Sequence, residues 1–279
     1  MKLYKTRKGN VLEHQNKFWL LEQAWDQLIN RDDLHGHLAK AVRPGGELSA
    51  LEAADLLEQD LLAPIGSQEV WAAGVTYLRS RDARMEESKD SGGASFYDKV
   101  YEAERPELFF KSQPQRVAAH GEKVYIRRDS SWNVPEPELT LFINSQGLIQ
   151  AYTIGNDMSS RSIEGENPLY LPQAKVYERC AGLGPGILVT PGPIAPTTEI
   201  YMSIQRKRDK VFEGRVTIDR MKRTHTGLVD YLYRECAFPH GCYLMTGTCI
   251  VPDAPFTLQR HDIISIKIDG IGVLVNMVE

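Results

Sequence analysis

The first part of the chain carries apolar residues at helical spacing. Residues 17–63 include KFWLLEQAWDQLINRDDLHGHLAKAV and, after the PGGE break, SALEAADLLEQDLL. In both stretches apolar side chains recur every three to four residues, which predicts amphipathic helices. Ser49, with Glu52 three positions later, predicts a capping box at the start of the second stretch.

The pattern changes after Pro64. From Trp71 onward, short segments of alternating or continuous apolar residues are separated by Gly, Pro and Asn, which is typical of β-strands and tight turns. We therefore predict a small N-terminal α+β domain at 1–64 and a β-dominated domain at 65–279, so that the whole chain is a β-dominated α+β protein.

Three stretches of the second part predict β-hairpins. They are ELTLFINSQGLIQAYTIGND, IYMSIQRKRDKVFEGRVTI and DIISIKIDGIGVLVNMV, the last with an Asp-Gly turn. THTGLVDYLYREC lies between the second and third hairpins and predicts a helix. Tight turns join antiparallel strands, so mostly antiparallel pairing is expected.

Two glutamates lie two positions apart in the first hairpin, within NVPEPELTLFIN. Side chains two apart on a strand share a face, so Glu136 and Glu138 are neighbours. Pairing about the SQG turn sets Glu138 opposite Ile154, and Asp157 within about one residue of Glu136. Three carboxylates then converge, unless the glutamates are edge-strand charges that face water.

Close carboxylates repel one another in a partly dry site unless a proton or a cation neutralises them. An all-oxygen ligand set favours Mg²⁺, with Mn²⁺ or Ca²⁺ as substitutes. No histidine lies near these three residues in the sequence, which argues against zinc. The metal ligands predicted from this pattern are Glu136, Glu138 and Asp157.

Composition excludes several classes of function. A net charge of −4 gives no basic field for a nucleic acid. No apolar run is long enough to cross a bilayer, and the basic start MKLYKTRKGN has no apolar segment behind it, so we expect neither a membrane span nor a secretory signal. The four cysteines have no CxxC or zinc-finger spacing, which predicts reduced thiols in a cytoplasmic protein.

Other polar residues occur where a bound anion would need them. Lys175 precedes a Gly-Pro-Gly turn that enters a strand, and a lysine beside a metal-bound anion can carry protons; the alternative is an ordinary surface lysine. Glu107 precedes a Leu-Phe-Phe strand. Thr246 and Thr248 flank a glycine and are suited to hydrogen-bond a small anion.

A charged segment precedes the Leu-Phe-Phe strand. Its first third is densely charged and could form a helix, and the KDSGG that follows is a natural hinge. We predict residues 79–98 as a candidate lid over a ligand, since such segments come from weakly packed parts of a chain. The alternative is a surface helix in contact with solvent.

The motifs, taken in order, resemble the fumarylacetoacetate hydrolase superfamily. The resemblance covers about 70–279 and rests on GVTY, RPELFFKS, PEPELTLFIN, YTIGNDMSSR, QAKVYERCAGLGP, MTGT and DIISIKIDGIGVLVN. It implies a mixed β-sandwich or roll in which ExE…D carboxylates bind Mg²⁺ in a site that chelates 2-oxo acids. It also implies Lys175 beside the metal, and a homodimer or homotetramer.

One departure from the family pattern bears on the reaction. Members that hydrolyse or decarboxylate oxo acids usually carry GxNYxxHxxE, whereas this chain has GVTYLRSRDA, with Thr76, Ser80 and Ala83 at the Asn, His and Glu positions. Without the imidazole a hydrolytic water has no obvious base. The pattern therefore resembles the sugar-acid dehydratase branch, in which Glu107 would also face the substrate.

The resemblance implies dehydration of a 2-dehydro-3-deoxy sugar acid to 2,5-dioxopentanoate. Lys175 is expected to remove the C3 proton and Glu107 to protonate the departing C4 hydroxyl, with the reverse assignment left open. Ser80 and Thr246 are expected to hold the substrate, a small 2-oxo sugar acid. The alternatives are hydrolysis or decarboxylation of an oxo acid such as an acylpyruvate or oxaloacetate, and a non-catalytic sugar-acid-binding protein.

Overall fold

The structure is a computed structural model that describes residues 1–80, 85 and 94–279. Fifteen strands are found within these residues. In chain order they are β1 (Lys2–Thr6), β2 (Gly9–His14), β3 (Lys17–Leu21), β4 (Glu69–Gly74), β5 (Glu107–Ser112), β6 (Val117–Ala118), β7 (Lys123–Val124), β8 (Asn133–Ile143), β9 (Ile149–Ser160), β10 (Ala181–Leu188), β11 (Glu199–Arg206), β12 (Asp209–Thr217), β13 (Cys242–Met245), β14 (Ile263–Ile268) and β15 (Gly272–Val278).

The helices of the described residues are short. They are α1 (Trp25–Ile29), α2 (Leu34–Ala41), α3 (Ala50–Gln59), α4 (Ala94–Glu102), α5 (Arg161–Glu166), α6 (Leu171–Lys175) and α7 (His225–Tyr233). The predicted capping box is confirmed, because the Ser49 hydroxyl accepts the Glu52 N–H and the Glu52 carboxylate accepts the Ser49 N–H. None of these helices combines the length and apolar character that a membrane span needs.

The strands form two sheets. The larger has the order β3-β2-β1-β10-β9-β8-β13-β4-β5, with β6 also paired to β10, and the smaller has the order β12-β11-β14-β15-β7. Most neighbours are antiparallel, but β13–β4, β10–β6 and β15–β7 are parallel, so both sheets are mixed. The predicted β-dominated α+β fold of the sandwich or roll type is confirmed.

Apolar side chains of both sheets form one core. Leu139, Leu141 and Ile154 of the large sheet belong to the same buried cluster as Ile266 and Leu274 of the small sheet. Such interdigitation of inner faces holds two sheets together in a sandwich.

A second core covers the opposite face of the large sheet. Leu28 of α1 and Leu34 and Leu38 of α2 cluster there with Phe142 of β8 and Tyr243 of β13. The long strands β8 and β9 are therefore buried on both faces, and the polar residues within them lie in the interior of the protein.

The prediction of helix from residue 17 is wrong at its start. Lys17–Leu21 forms β3, which pairs with β2. Gln15 and Asn16 between the two strands both have positive φ, 51° and 59°. A two-residue turn with left-handed residues matches the twist of a hairpin, and this turn outweighs the apolar spacing that suggested a helix.

The strands β1–β3 join the large sheet through β10, at Lys2 opposite Leu188 and Leu3 opposite Ile187. The first 64 residues thus contribute strands to the large sheet as well as helices to its surface. The division of the chain at residue 64 stays a prediction. The candidate lid at 79–98 falls largely on 81–84 and 86–93, which lie outside the described residues.

The three predicted hairpins and the helix at α7 are confirmed. The predicted register of the first hairpin is wrong by one residue, because Glu136 pairs with Asp157, and Glu138 with Gly155. An irregularity between Phe142 and Ile143 leaves Gln150 as an extra residue of β9. A single extra residue of this kind shifts all later pairs by one position.

Candidate metal and active site

Three carboxylates meet in the middle of the large sheet. Glu136 and Glu138 lie on β8 and Asp157 lies directly opposite Glu136 on β9. Each residue has an oxygen within 4.8 Å of an oxygen of the other two, and all three residues are at most 3% exposed. The predicted convergence is confirmed, and the carboxylates do not face water as edge-strand charges would.

Lys175 is a buried part of this cluster and not a surface residue. It ends α6 and is fully buried. Its ammonium group donates to Glu136 Oε2 at 2.5 Å, to Asp157 Oδ2 at 2.9 Å and to Ser159 Oγ at 2.6 Å. The side chain therefore lies within reach of whatever these carboxylates bind.

Donors other than Lys175 also engage one oxygen of each carboxylate. Arg161 donates to Glu136 Oε1, and the main-chain N–H of Gly247 donates to Glu138 Oε2 at 2.6 Å. The Lys111 ammonium lies 2.6 Å from Asp157 Oδ1 as an ion pair, without the angles of a hydrogen bond. Lys111 also donates to the Met158 and Lys175 carbonyls, at 2.9 and 2.5 Å.

The buried charges of the site do not cancel. Eight of the described charged residues are buried, and all but Asp262 belong to this site. Four of the seven are carboxylates, the fourth being Glu164 beside Arg161, and three are cations. One negative charge is left over, and a divalent cation together with a monoanionic ligand would bring the total to zero. The residues present thus fit a divalent, oxygen-preferring ion such as Mg²⁺.

Ionisation of Glu138 is costly in the metal-free site. Burial raises its pKa well above the usual range, and the negative charges of Asp157 and Glu136 raise it further. Lys175 and the Gly247 N–H act in the opposite direction. A divalent ion bound here must displace a proton that Glu138 would otherwise retain at low pH.

Replacing Glu138 with glutamine should therefore abolish stabilisation by the metal ion without lowering the stability of the metal-free protein. A raised carboxyl pKa means that the folded state binds the proton more tightly than the unfolded chain, so the metal-free fold loses stability as pH rises through that pKa. Glu138→Gln removes this loss. In EDTA at pH 8 its melting temperature should equal or exceed that of the parent protein, and Mg²⁺ should stabilise only the parent.

Thermal unfolding at pH 5 and pH 8, with EDTA or Mg²⁺, checks this expectation. Glu178→Gln is a suitable control, since the Glu178 side chain is 72% exposed and lies outside the cluster. A variant of Glu138 that is clearly less stable than the parent at pH 8 in EDTA would contradict the argument.

Glu107 lies at the start of β5, opposite Gly74 on β4. A Cβ atom built on Gly74 would stand only 1.9 Å from Glu107 Oε2, so the glycine makes room for the carboxylate. Gly74 lines the cavity that the metal cluster also lines, which places Glu107 beside this cavity.

Ser80 and Thr246, both predicted to hold the substrate, differ in their positions. Ser80 lines the cavity, and its hydroxyl donates to the Tyr77 carbonyl at 2.6 Å. Thr246 is not among the cavity-lining residues, and its hydroxyl donates to the Leu139 carbonyl at 2.8 Å. Thr248, two residues on, does line the cavity.

The backbone beside the cavity adopts an unusual conformation at Val75. This residue is 3% exposed, lines the cavity and has φ of 52°. A β-branched residue rarely adopts the left-handed region, and the strain costs about 1–3 kcal/mol. Such strain is typical of functional sites, where surrounding structure imposes the backbone path.

Sequence reasoning missed Arg161 and Lys111 as members of the site. Both occur in motifs of the family resemblance, YTIGNDMSSR and RPELFFKS. Arg161 directly follows the buried strand β9, and Lys111 is a buried residue of β5. A charged residue within an apolar strand is the signal that could have identified Lys111. Ala83, at the family's glutamate position, lies outside the described residues.

The sandwich fold and its buried carboxylate cluster place this chain in the class of candidate metal-dependent enzymes. The family described as fumarylacetoacetate (FAA) hydrolase C-terminal matches residues 70–279. The chain therefore belongs to the fumarylacetoacetate hydrolase family, as its motifs predict.

Relatives within the family are similar along most of the chain. The chain is 45% identical over 224 residues to the probable 2-keto-3-deoxyxylonate dehydratase of Haloferax volcanii, a match that covers 80% of this chain and 76% of the relative. It is 40% identical over 233 residues to the 2-dehydro-3-deoxy-D-arabinonate dehydratase of Saccharolobus solfataricus, covering 83% of this chain and 78% of the relative.

A solved structure agrees with the fold over the whole chain. It is a 2-keto-3-deoxy-D-arabinonate dehydratase complexed with magnesium and 2,5-dioxopentanoate, with a TM-score of 0.84 and 33% identity. The match covers 100% of this chain and 99% of that one.

Proposed function

We propose that this protein is a magnesium-dependent hydro-lyase that dehydrates a 2-dehydro-3-deoxy sugar acid, a pentonate, to 2,5-dioxopentanoate. The observation that carries the proposal is the composition of the cavity. Three carboxylates and Lys175 line it, and no histidine is found among the described residues that line it. The names and the product complex of similar proteins support the same reaction.

The charge of the site favours a monoanionic substrate. The buried groups leave one net negative charge, so a divalent ion leaves one positive charge for the substrate to neutralise. A 2-oxo sugar acid carries one carboxylate and no phosphate, and it therefore matches. When bound, magnesium supplies Lewis-acid polarisation of the 2-oxo acid.

The protein's own residues supply proton transfer. Lys175 Nζ lies among Glu136, Asp157 and Ser159 at 2.5–2.9 Å. We assign it the removal of the C3 proton, which requires that the ammonium group first release one of its own protons to solvent. Glu107 is assigned protonation of the C4 hydroxyl, which leaves as water. The double bond formed between C3 and C4 moves to C4 and C5 when C5 loses a proton and C3 gains one. The resulting C5 enol then takes up a proton at C4 and loses its hydroxyl proton, which gives the aldehyde.

Substrate positioning is assigned to hydroxyl groups of the cavity wall. Ser80 and Thr248 both line the cavity, so we assign them the substrate carboxylate and hydroxyl groups. The hydroxyl of Thr246 is engaged with Leu139, and this residue supports the loop that carries Gly247 and Thr248.

A product assay tests the proposed function. The protein is incubated with a panel of 2-dehydro-3-deoxy pentonates, with Mg²⁺ and with EDTA, and 2,5-dioxopentanoate is measured by mass spectrometry. We expect the product only with the metal ion, and from one stereoisomer in preference to the others. Cleavage of oxaloacetate or fumarylpyruvate with no dehydration would establish the hydrolase or decarboxylase alternative, and binding without turnover would establish a non-catalytic protein.

We also propose a homodimer or homotetramer in the cytoplasm. The assembly rests on the family resemblance, and light scattering of the purified protein tests it. The compartment is supported by the cysteines, since Cys180, Cys236, Cys242 and Cys249 are all free thiols.

A further inference from the structure

Each carboxylate of the metal cluster has one oxygen engaged by a donor other than Lys175. Lys175 donates to the other oxygen of Glu136 and of Asp157, and its ammonium group would have to give way to a bound ion. The Arg161 guanidinium holds Glu136 Oε1, the Gly247 N–H holds Glu138 Oε2, and the Lys111 ammonium lies against Asp157 Oδ1. The donors come from α5, from the loop after β13 and from β5. Donors from three separate elements thus each engage one oxygen of a different carboxylate.

Engaging one oxygen of each carboxylate lowers the number of oxygens that the cluster can offer to an ion. A carboxylate with one oxygen engaged by a cation or an N–H group is disfavoured as a bidentate ligand, because both oxygens would have to turn toward the ion. Ca²⁺ takes six to eight oxygens and commonly uses bidentate carboxylates, whereas Mg²⁺ is six-coordinate and usually takes single oxygens and water. The three donors thus favour the smaller ion.

We propose that Lys111, Arg161 and the Gly247 N–H are selectivity determinants that limit each carboxylate to one ligand oxygen and so favour Mg²⁺ over Ca²⁺. The inference rests on the proposed metal site and refines its choice of ion. Lys111 is a positioning residue, since its contacts are to Asp157 and to the Met158 and Lys175 carbonyls.

Lys111 offers the clearest test because it is fully buried and its replacement releases one carboxylate oxygen. Lys111→Met keeps the apolar stem and removes the ammonium group. The lost positive charge strengthens binding of every divalent ion to a similar extent, so the charge effect largely cancels in the ratio of two dissociation constants. The ratio therefore reports how many oxygens the site offers.

The experiment measures Kd for Mg²⁺, Mn²⁺ and Ca²⁺ by titration calorimetry on the metal-free full chain, without substrate. The parent protein should bind Mg²⁺ in preference to Ca²⁺, and Lys111→Met should lower the ratio Kd(Ca)/Kd(Mg) by about tenfold. The ratio Kd(Mn)/Kd(Mg) should stay within about twofold, because both ions prefer six ligands. Lys123→Met, an exposed lysine paired with Glu279, should change neither ratio.

Arg161→Gln gives a second test, on Glu136. If circular dichroism shows that Lys111→Met does not fold, the ratio Kd(Ca)/Kd(Mg) of Arg161→Gln tests the proposal on ion selectivity. A folded variant with an unchanged Kd(Ca)/Kd(Mg) overturns the assignment for its carboxylate. Since no substrate is present, a protein without dehydratase activity would still show the shift. A failure of the proposed reaction is thus distinguishable from a failure of this inference.

Discussion

Lys175→Met should lower kcat for dehydration by about 10³-fold while the protein remains folded. The ammonium group of Lys175 is the buried cation that contacts both Glu136 and Asp157, and it is the assigned proton carrier for C3. Methionine keeps the length and the apolar packing of the side chain and cannot carry a proton. Steady-state kinetics with saturating Mg²⁺ measure the loss.

Two comparisons make this result specific. Lys123→Met, at an exposed position, should retain the parent kcat. Glu107→Gln, measured in parallel, should lose activity by about 10²-fold or more if this carboxylate protonates the departing hydroxyl. Full turnover in both Lys175→Met and Glu107→Gln would show that neither residue carries a proton.

Asp157→Asn should lower the free energy of unfolding by about 3–5 kcal/mol. Asp157 is 1% exposed and lies against two fully buried ammonium groups, Lys111 at 2.6 Å and Lys175 at 2.9 Å. Removing its charge takes away the carboxylate that both ammonium groups contact, at a place that water cannot reach. Chemical denaturation in EDTA measures the change without a contribution from bound metal.

Asp253→Asn is the matched control for this loss. Asp253 also pairs with a cation, Arg79, at 3.0 Å, but its side chain is 85% exposed. Exposed pairs contribute about 0–1 kcal/mol, so the control should unfold almost as the parent does. Equal stability of Asp157→Asn and the parent would mean that the two lysines do not depend on this carboxylate.

The hairpins and the metal cluster could be predicted because their signals are local. Alternating strands joined by Asn, Gly or Asp-Gly turns specify pairing within about 20 residues, and this pairing alone brings Asp157 to Glu136. The helical pattern at 17–21 misled because spacing in a short apolar run fits both a strand and a helix, and the turn at Gln15–Asn16 decided between them.

The cations of the site could not be placed from local pattern. Lys111 lies 46 positions before Asp157, and it reaches the carboxylate only because β5 and β9 are arranged within the same sheet. Likewise Gly247 contacts Glu138 across 109 positions. Long-range order of strands determines such contacts, and no periodicity in the sequence encodes it.

The extra residue at Gln150 has a consequence for how this enzyme tolerates changes of length. Gln150 and Asp157 are seven residues apart, roughly 23 Å along an extended strand. Deleting Gln150 would leave Ile149 and Ala151 opposite the adjacent residues Ile143 and Phe142 in a regular ladder, so Asp157 would still lie opposite Glu136. Deleting a residue between Ala151 and Asp157 would instead exchange the faces of the strand at the carboxylate and turn Asp157 away from Glu136. We therefore expect working homologues to vary in length at the turn and at Gln150, but to keep the residue count from Ala151 to Asp157 constant.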